Sequence, residues 1–171
     1  MAFFIKKISM SYTVPAQTHI GHVHLKVSDI DRALSFYQGL LGFKITQRYG
    51  DGAVFLSAGG YHHHIGLNTW QSKGAPPAPV RSAGLFHHAI VYPTRKDLAV
   101  ILKRLMDYNY PLTGTADHGV SEAIYLNDPD ENGVELYWDK PKELWPIDED
   151  GNLLMVTEML DVKGLLATLD Q

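Results

Sequence analysis

Three side chains, His22, His87 and Glu135, stand on the polar faces of three separate alternating segments. In HIGHVHLKV, residues 19–27, Val23, Leu25 and Val27 point one way and His22, His24 and Lys26 the other. His87 shares a face with Ala89 and Val91, whereas His88 falls on the opposite face with Ile90 and Tyr92. In GVELY, Val134 and Leu136 alternate with Glu135 and Tyr137, and one segment earlier Ile124 and Leu126 alternate with Tyr125. Two imidazoles and a carboxylate that leave coordination positions open suit Fe(II), Mn(II) or a catalytic zinc. Strands hold such donors more rigidly than loops do. A single histidine on a strand is more often a polar surface residue, so spacing alone leaves both readings open.

The positions around these three sort by the same parity. His62, His64 and Asn68 share one face of a later segment, with Gly66 between them. They are expected to contact a substrate or to support the metal donors, and His24 and Tyr137, on the faces of His22 and Glu135, are expected to do likewise. His19, His63 and His88 are expected to be structural.

The elements that must carry these residues occur twice. After the first strand, Ser28 is expected to cap a helix with Asp31 at its third position and a stripe of Ile30, Ala33, Leu34, Tyr37, Leu40 and Leu41. Gly42 ends it, and short strands follow at about 43–49, 53–58 and 61–68, divided by glycines. SKGAPPAPVRSAG has the composition of a linker. A strand over Leu85–Tyr92 then restarts the pattern. Thr94 caps a helix with Asp97 at N3 and a stripe of Leu98, Ile101, Leu102 and Leu105; Asn109 stops it and Pro111 prevents its return. Strands at about 110–116, 119–127 and 133–138 complete the second unit.

The sequence therefore predicts an α+β fold of two βαβββ modules, 19–70 and 85–140, joined by a linker at 71–84 and forming a curved mixed sheet around a metal-containing cavity. Residues 1–18 and 141–171 read as extensions. In the second, an apolar stripe of Leu153, Leu154, Val156, Met159 and Leu160 precedes a short helix expected from Asp161.

Composition narrows the function. The 171 residues contain no cysteine, which removes disulfides, thiolate metal sites and cysteine nucleophiles together. A net charge of −4 without a basic stripe argues against nucleic acid. MAFFIKKISM lacks the layout of a signal peptide, and no window approaches the length of a membrane span. A cytoplasmic protein acting on a small molecule is expected.

GHVHLKVSDIDRALSFYQGLLGF resembles the opening of a module of the glyoxalase/bleomycin-resistance/extradiol-dioxygenase family, the vicinal-oxygen-chelate superfamily. In it a histidine precedes an aspartate by seven residues, as His22 precedes Asp29. LFHHAIVYPTRKDLA resembles the same opening, with His87 in the ligand slot, and YLNDPDENGVELYWD resembles the family's last hairpin, with Glu135 as ligand. YHHHIGLNTW and DHGVSEAIYLNDPD are similar to the N-terminal half of Bacillus-type catechol-2,3-dioxygenases.

The resemblance implies a metal held by His22, His87 and Glu135, with Fe(II) first and Mn, Zn, Ni or Co as alternatives. It also implies an acid/base His118, and a Tyr125 whose spacing of ten residues to Glu135 is the family's. The activity implied is extradiol cleavage of a catechol-like ring with O2. The alternatives are a non-oxidative lyase, isomerase or transferase, and a metal-free binding protein. No glutamate occupies the slot near Gly66 or His64 where glyoxalases place another ligand. Catechol-2,3-dioxygenases of this type contain two module pairs and this chain has one. A single pair is then sufficient, or a homodimer supplies the missing walls, or ring cleavage has been lost.

Overall fold

A computed structural model describes residues 11–170. The segment MAFFIKKISM lies outside the described residues. Among the described residues, no helix is long and apolar enough to cross a membrane.

The expected repeat is present as two four-stranded mixed sheets of identical topology. Strands β1 (Val23–Lys26), β2 (Lys44–Tyr49), β3 (Ala53–Ser57) and β4 (Ile65–Asn68) form the order β1-β4-β3-β2. Strands β5 (His88–Val91), β6 (Leu112–Asp117), β7 (Ser121–Asn127) and β8 (Gly133–Asp139) form β5-β8-β7-β6. In each sheet the first and last strands of the module pair in parallel, which requires the intervening helix as a crossover.

The first helix, α1 (Ile30–Leu34), starts one residue later than the sequence suggests. Asp29, not Ser28, is its cap and accepts from the Arg32 N–H at 2.9 Å. Asp29 holds the extended backbone a cap requires, and Ser28 instead accepts from the Arg32 guanidinium at 2.6 Å. Helix α1 runs directly into a π turn over Ser35–Leu40. The wider turn brings Phe36, absent from the expected stripe, into the core beside Tyr37. Gly42 ends the helix at φ 85°. Helix α2 (Arg95–Asp107) begins at Thr94, which accepts from the Asp97 N–H at 3.0 Å, and Asn109 stands beyond its end at φ 50°.

One buried cluster joins both modules. It takes Leu25, Val54, Leu56 and Leu67 from the first sheet, Ile124, Leu126, Val134 and Leu136 from the second, and the apolar stripes of α1 and α2. A five-residue turn before β8 clasps the first module onto this core. Asp128 accepts from Tyr37 Oη at 2.9 Å, and Asp130 accepts from the Ser28 N–H at 3.0 Å and the Arg32 guanidinium at 2.6 Å. Because the apolar faces of both sheets enter one core, their polar faces turn away from it.

The C-terminal stripe does not pack as a face. Met159 is 93% exposed and Leu153 and Leu154 are about half exposed, because the chain there is an irregular strap without a helical period. Leu160 is buried, and Asp161 caps a third helix, α3 (Val162–Leu166), whose Leu165 is buried against the α2 side.

Candidate active site

β5 begins at His88, so His87 is the last residue before the strand, as His22 is the last before β1. Register makes the equivalence complete. Val23 pairs with Ile65 and His24 with Gly66; His88 pairs with Val134 and Ala89 with Glu135. Position 66 of the first module is therefore the counterpart of Glu135 in the second. A glycine stands there because the His24 ring lies across it. A Cβ at Gly66 would come within 2.9 Å of His24 Cδ2.

On the second sheet the expected residues converge. His87 Nε2 lies 3.1 Å from Glu135 Oε2. Tyr125 pairs directly with Glu135 across the β7–β8 ladder, and its hydroxyl lies 2.8 Å from Glu135 Oε1. His118, in the turn between β6 and β7, places Nε2 2.7 Å from the same hydroxyl. The result is a continuous polar line from His118 through Tyr125 and Glu135 to His87. Of these, His87 and Tyr125 border a pocket of about 470 Å³ that Phe86, Thr113 and Gly133 also line. Burial and then the Glu135 carboxylate raise the Tyr125 phenol far above its ordinary range, so it stays protonated. Tyr137, on the same face of β8, is raised by burial and by the Asp139 and Glu135 carboxylates.

His88 points into the core instead, next to Tyr37, with both ring nitrogens buried. Burial and the neighbouring His87 depress it to about 4, so it is a neutral structural group.

The first sheet gathers a different set. His22 packs at a tilt against His63 with ring centroids 4.4 Å apart, and His62 and His63 approach through their Nδ1 atoms at 2.7 Å. β4 starts only at Ile65, so His62, His63 and His64 lie in the preceding turn and strand parity does not govern them. This swings His63, expected to be structural, against His22, where burial and the surrounding imidazoles lower its pKa. His64 is occupied as a structural acceptor, with Nδ1 3.0 Å from Ser57 Oγ and 3.3 Å from the Ala58 N–H. Asn68 is buried and its Oδ1 accepts from the Trp70 N–H at 3.2 Å. His24 packs edge-on against Phe55 and Trp70, and burial followed by His22 lowers its pKa. His62 is exposed.

The two donors on the second sheet fit a divalent ion. Ligand atoms bound at ~2.1 Å and at a right angle lie ~3 Å apart, which is the separation of His87 Nε2 and Glu135 Oε2. The expected three-donor group is not gathered in the folded chain. His22 belongs to the other sheet, and among the described residues no three His, Asp or Glu side chains are close enough to hold one ion.

Residues 19–136 match the family model of the glyoxalase/bleomycin resistance protein/dioxygenase superfamily. The chain belongs to this superfamily. It is 39% identical over 155 residues to a catechol-2,3-dioxygenase of Bacillus subtilis (strain 168), covering 90% of this chain and 53% of that protein. It is 30% identical over 121 residues to biphenyl-2,3-diol 1,2-dioxygenase 3 of Rhodococcus globerulus, covering 70% of this chain and 63% of that one. The chain thus spans about half to two thirds of these relatives. Among solved structures, a glyoxalase/dioxygenase from Nostoc punctiforme superposes with a TM-score of 0.61 at 14% identity, covering 77% of this chain and 98% of that one. A lactoylglutathione lyase from Agrobacterium tumefaciens does so with a TM-score of 0.57 at 19% identity, covering 72% and 96%. Those two likenesses concern the fold.

Proposed function

We propose that this chain is an extradiol-type dioxygenase that opens a catechol-like ring with O2. The observation that carries the reading is the His118–Tyr125–Glu135–His87 line, in which an imidazole and a phenol adjoin an imidazole–carboxylate pair spaced to hold a divalent ion. His87 and Glu135 would hold the ion, Fe(II) on this reading, with Mn, Zn, Ni and Co the other candidates. Bound there, a divalent cation supplies the positive charge that makes a coordinated hydroxyl acidic. His118 Nε2 would take the proton a substrate hydroxyl gives up and later return it. Tyr125 donates a hydrogen bond toward the substrate oxygens. Tyr137, His24 and His62 are proposed to border the substrate. A glyoxalase-like reading with a fourth protein donor is disfavoured by Gly66 at the position equivalent to Glu135.

His22 is proposed as the third donor, supplied from a second copy. Each chain presents one polar sheet face beside His22 and a separate one with His87 and Glu135, and a two-fold homodimer in which each face meets the unlike face of its partner would complete two sites. The apolar Leu85 and Phe86, exposed directly before His87, suit such a contact. Mixing His22→Ala and Glu135→Ala chains, each expected to bind no ion alone, should then restore about a quarter of the sites. No restored metal would refute a site shared between two chains.

The activity itself is tested by anaerobic Fe(II) loading, then catechols and O2, with the yellow ring-opened product as readout. Iron-loaded protein that turns over no member of a broad catechol panel would sink the reading. Turnover of another substrate class without O2 would replace it with a non-oxidative one, and ligand capture without metal with a binding role.

A further inference from the structure

The residues after β8 form a strap that returns to the site and ends in the core. Ile147 and Leu153 bridge across a hairpin, and the Leu154 N–H donates to the Pro146 carbonyl at 2.9 Å. The strap then runs antiparallel to the end of β6. The Asp117 N–H donates to the Glu158 carbonyl at 3.0 Å and the Glu158 N–H to the Asp117 carbonyl at 2.9 Å. The Val156 N–H donates to the His118 carbonyl at 3.1 Å. Burial of Leu160 and Leu165 anchors the far end. Gly119 is the point of closest approach. It sits at φ +76°, and a Cβ there would stand 2.9 Å from Pro146 Cγ and 3.3 Å from Val156 Cγ2.

At this crossing His118 Nδ1 lies 2.9 Å from the Val156 carbonyl oxygen. A carbonyl accepts and never donates. The contact is a hydrogen bond only if Nδ1 carries the hydrogen, and in the neutral ring Nε2 then holds the lone pair. Nε2 is the atom 2.7 Å from Tyr125 Oη. A competing arrangement is built into the same place. The Thr157 hydroxyl, 3.4 Å from Nδ1, could donate to it and would select the opposite tautomer. The carbonyl is half an ångström nearer and has no alternative role to play toward that ring.

We propose that the strap, through the Val156 carbonyl, is a positioning element that fixes the tautomer of His118 so that its Nε2 lone pair faces Tyr125 and the site. A free imidazole neighbouring a phenol would divide between two tautomers, and only one of them presents a base. With Nε2 an acceptor, the single Tyr125 proton has two acceptors, Nε2 at 2.7 Å and Glu135 Oε1 at 2.8 Å. The phenol can then serve either side as Glu135 is engaged or released. The importance of this for turnover rests on the acid/base role proposed for His118; the tautomer itself does not.

Imidazole 15N NMR at alkaline pH, without metal or substrate, reads the tautomer directly, with His118→Gln assigning the signal among the nine histidines. Wild-type His118 should show a protonated Nδ1 and an unprotonated Nε2. Thr157→Val should leave this pattern unchanged. Gly119→Ala, which forces the strap away, should shift it toward a mixture. A wild-type ring protonated on Nε2 would overturn the proposal. So would a Thr157→Val spectrum that changes, or a folded Gly119→Ala protein whose pattern does not. If Gly119→Ala fails to fold, the wild-type and Thr157→Val spectra decide the question between them. A confirmed tautomer in a protein that opens no ring would leave the strap assignment standing and remove the dioxygenase reading instead.

Discussion

Asp128 should be the most expensive polar residue to remove, and the reason lies in whom it serves. Its carboxylate is 2% exposed and accepts four hydrogen bonds, from the Asp130 and Asn132 N–H groups, Asn132 Nδ2 and Tyr37 Oη. Burial raises its pKa and the donors pull it partly back, so the group carries a desolvation cost that its partners offset. In Asp128→Ala that cost disappears, but the Tyr37 hydroxyl, in a fully buried residue, is left without a partner, and the turn loses both N–H acceptors. An orphaned buried donor costs about 1–3 kcal/mol, and a hydrogen bond to a charged group contributes about 1.5–3 kcal/mol. We expect a loss of about 4 kcal/mol, a large share of the 5–15 kcal/mol typical of a domain. Tyr37→Phe alone should cost about 1–2 kcal/mol. In the Asp128→Ala background the same change should be neutral or stabilising, because it deletes the orphan. Urea unfolding followed by tryptophan fluorescence measures all four proteins of the cycle. Equal costs of Tyr37→Phe in both backgrounds would refute the argument, as would an Asp128→Ala loss below about 1 kcal/mol.

Glu135→Gln should abolish binding of a divalent ion, read by metal analysis, while shifting stability by less than about 1 kcal/mol, since the amide oxygen still accepts from Tyr125. Tyr125→Phe should retain metal and lower turnover by about 10²-fold, measured under saturating catechol. Asp117 is pushed up by burial, but the bonds from Lys140 Nζ at 2.7 and 2.8 Å and from the Gly119 N–H outweigh this and hold it below its ordinary value of 3.8. A depressed carboxylate contributes stability above its unfolded pKa and loses it as pH falls through the folded one. Lys140→Met should therefore be less stable than wild type at neutral pH, and the two denaturation midpoints should converge in acid.

The fold was legible because the repeat is written in alternation and capping. Thr94 with Asp97, and Gly42 and Asn109 as stops, are local signals that the structure realises directly. The π turn was not legible. Phe36 breaks a 3.6-residue period, and only tertiary packing against Tyr37 and Tyr110 rewards the wider turn. In the site, strand parity served Tyr125, Glu135 and Tyr137 because they sit inside β7 and β8. It failed for His62, His63 and His64, which precede β4, since alternation holds only where the ladder does. That His22 does not meet His87 and Glu135 within one chain could not be read from any single strand, because it depends on how the two modules pack through one core. The link from His118 to Val156 joins residues 38 apart through an irregular strap that carries no periodic signal.

The clasp before β8 also has a temporal meaning. Tyr37 and Asp128 are separated by 91 residues, and Ser28 and Asp130 by 102. On a ribosome adding about 5–20 residues per second, the first module emerges roughly 5–20 s before the carboxylates that will receive its helix. During that interval the Tyr37 hydroxyl lacks its carboxylate partner, and the part of the apolar stripe that the second module will cover has only water or another chain to meet. A nascent first module is thus the stage at which a chaperone, or misassembly with a neighbour, competes for this protein.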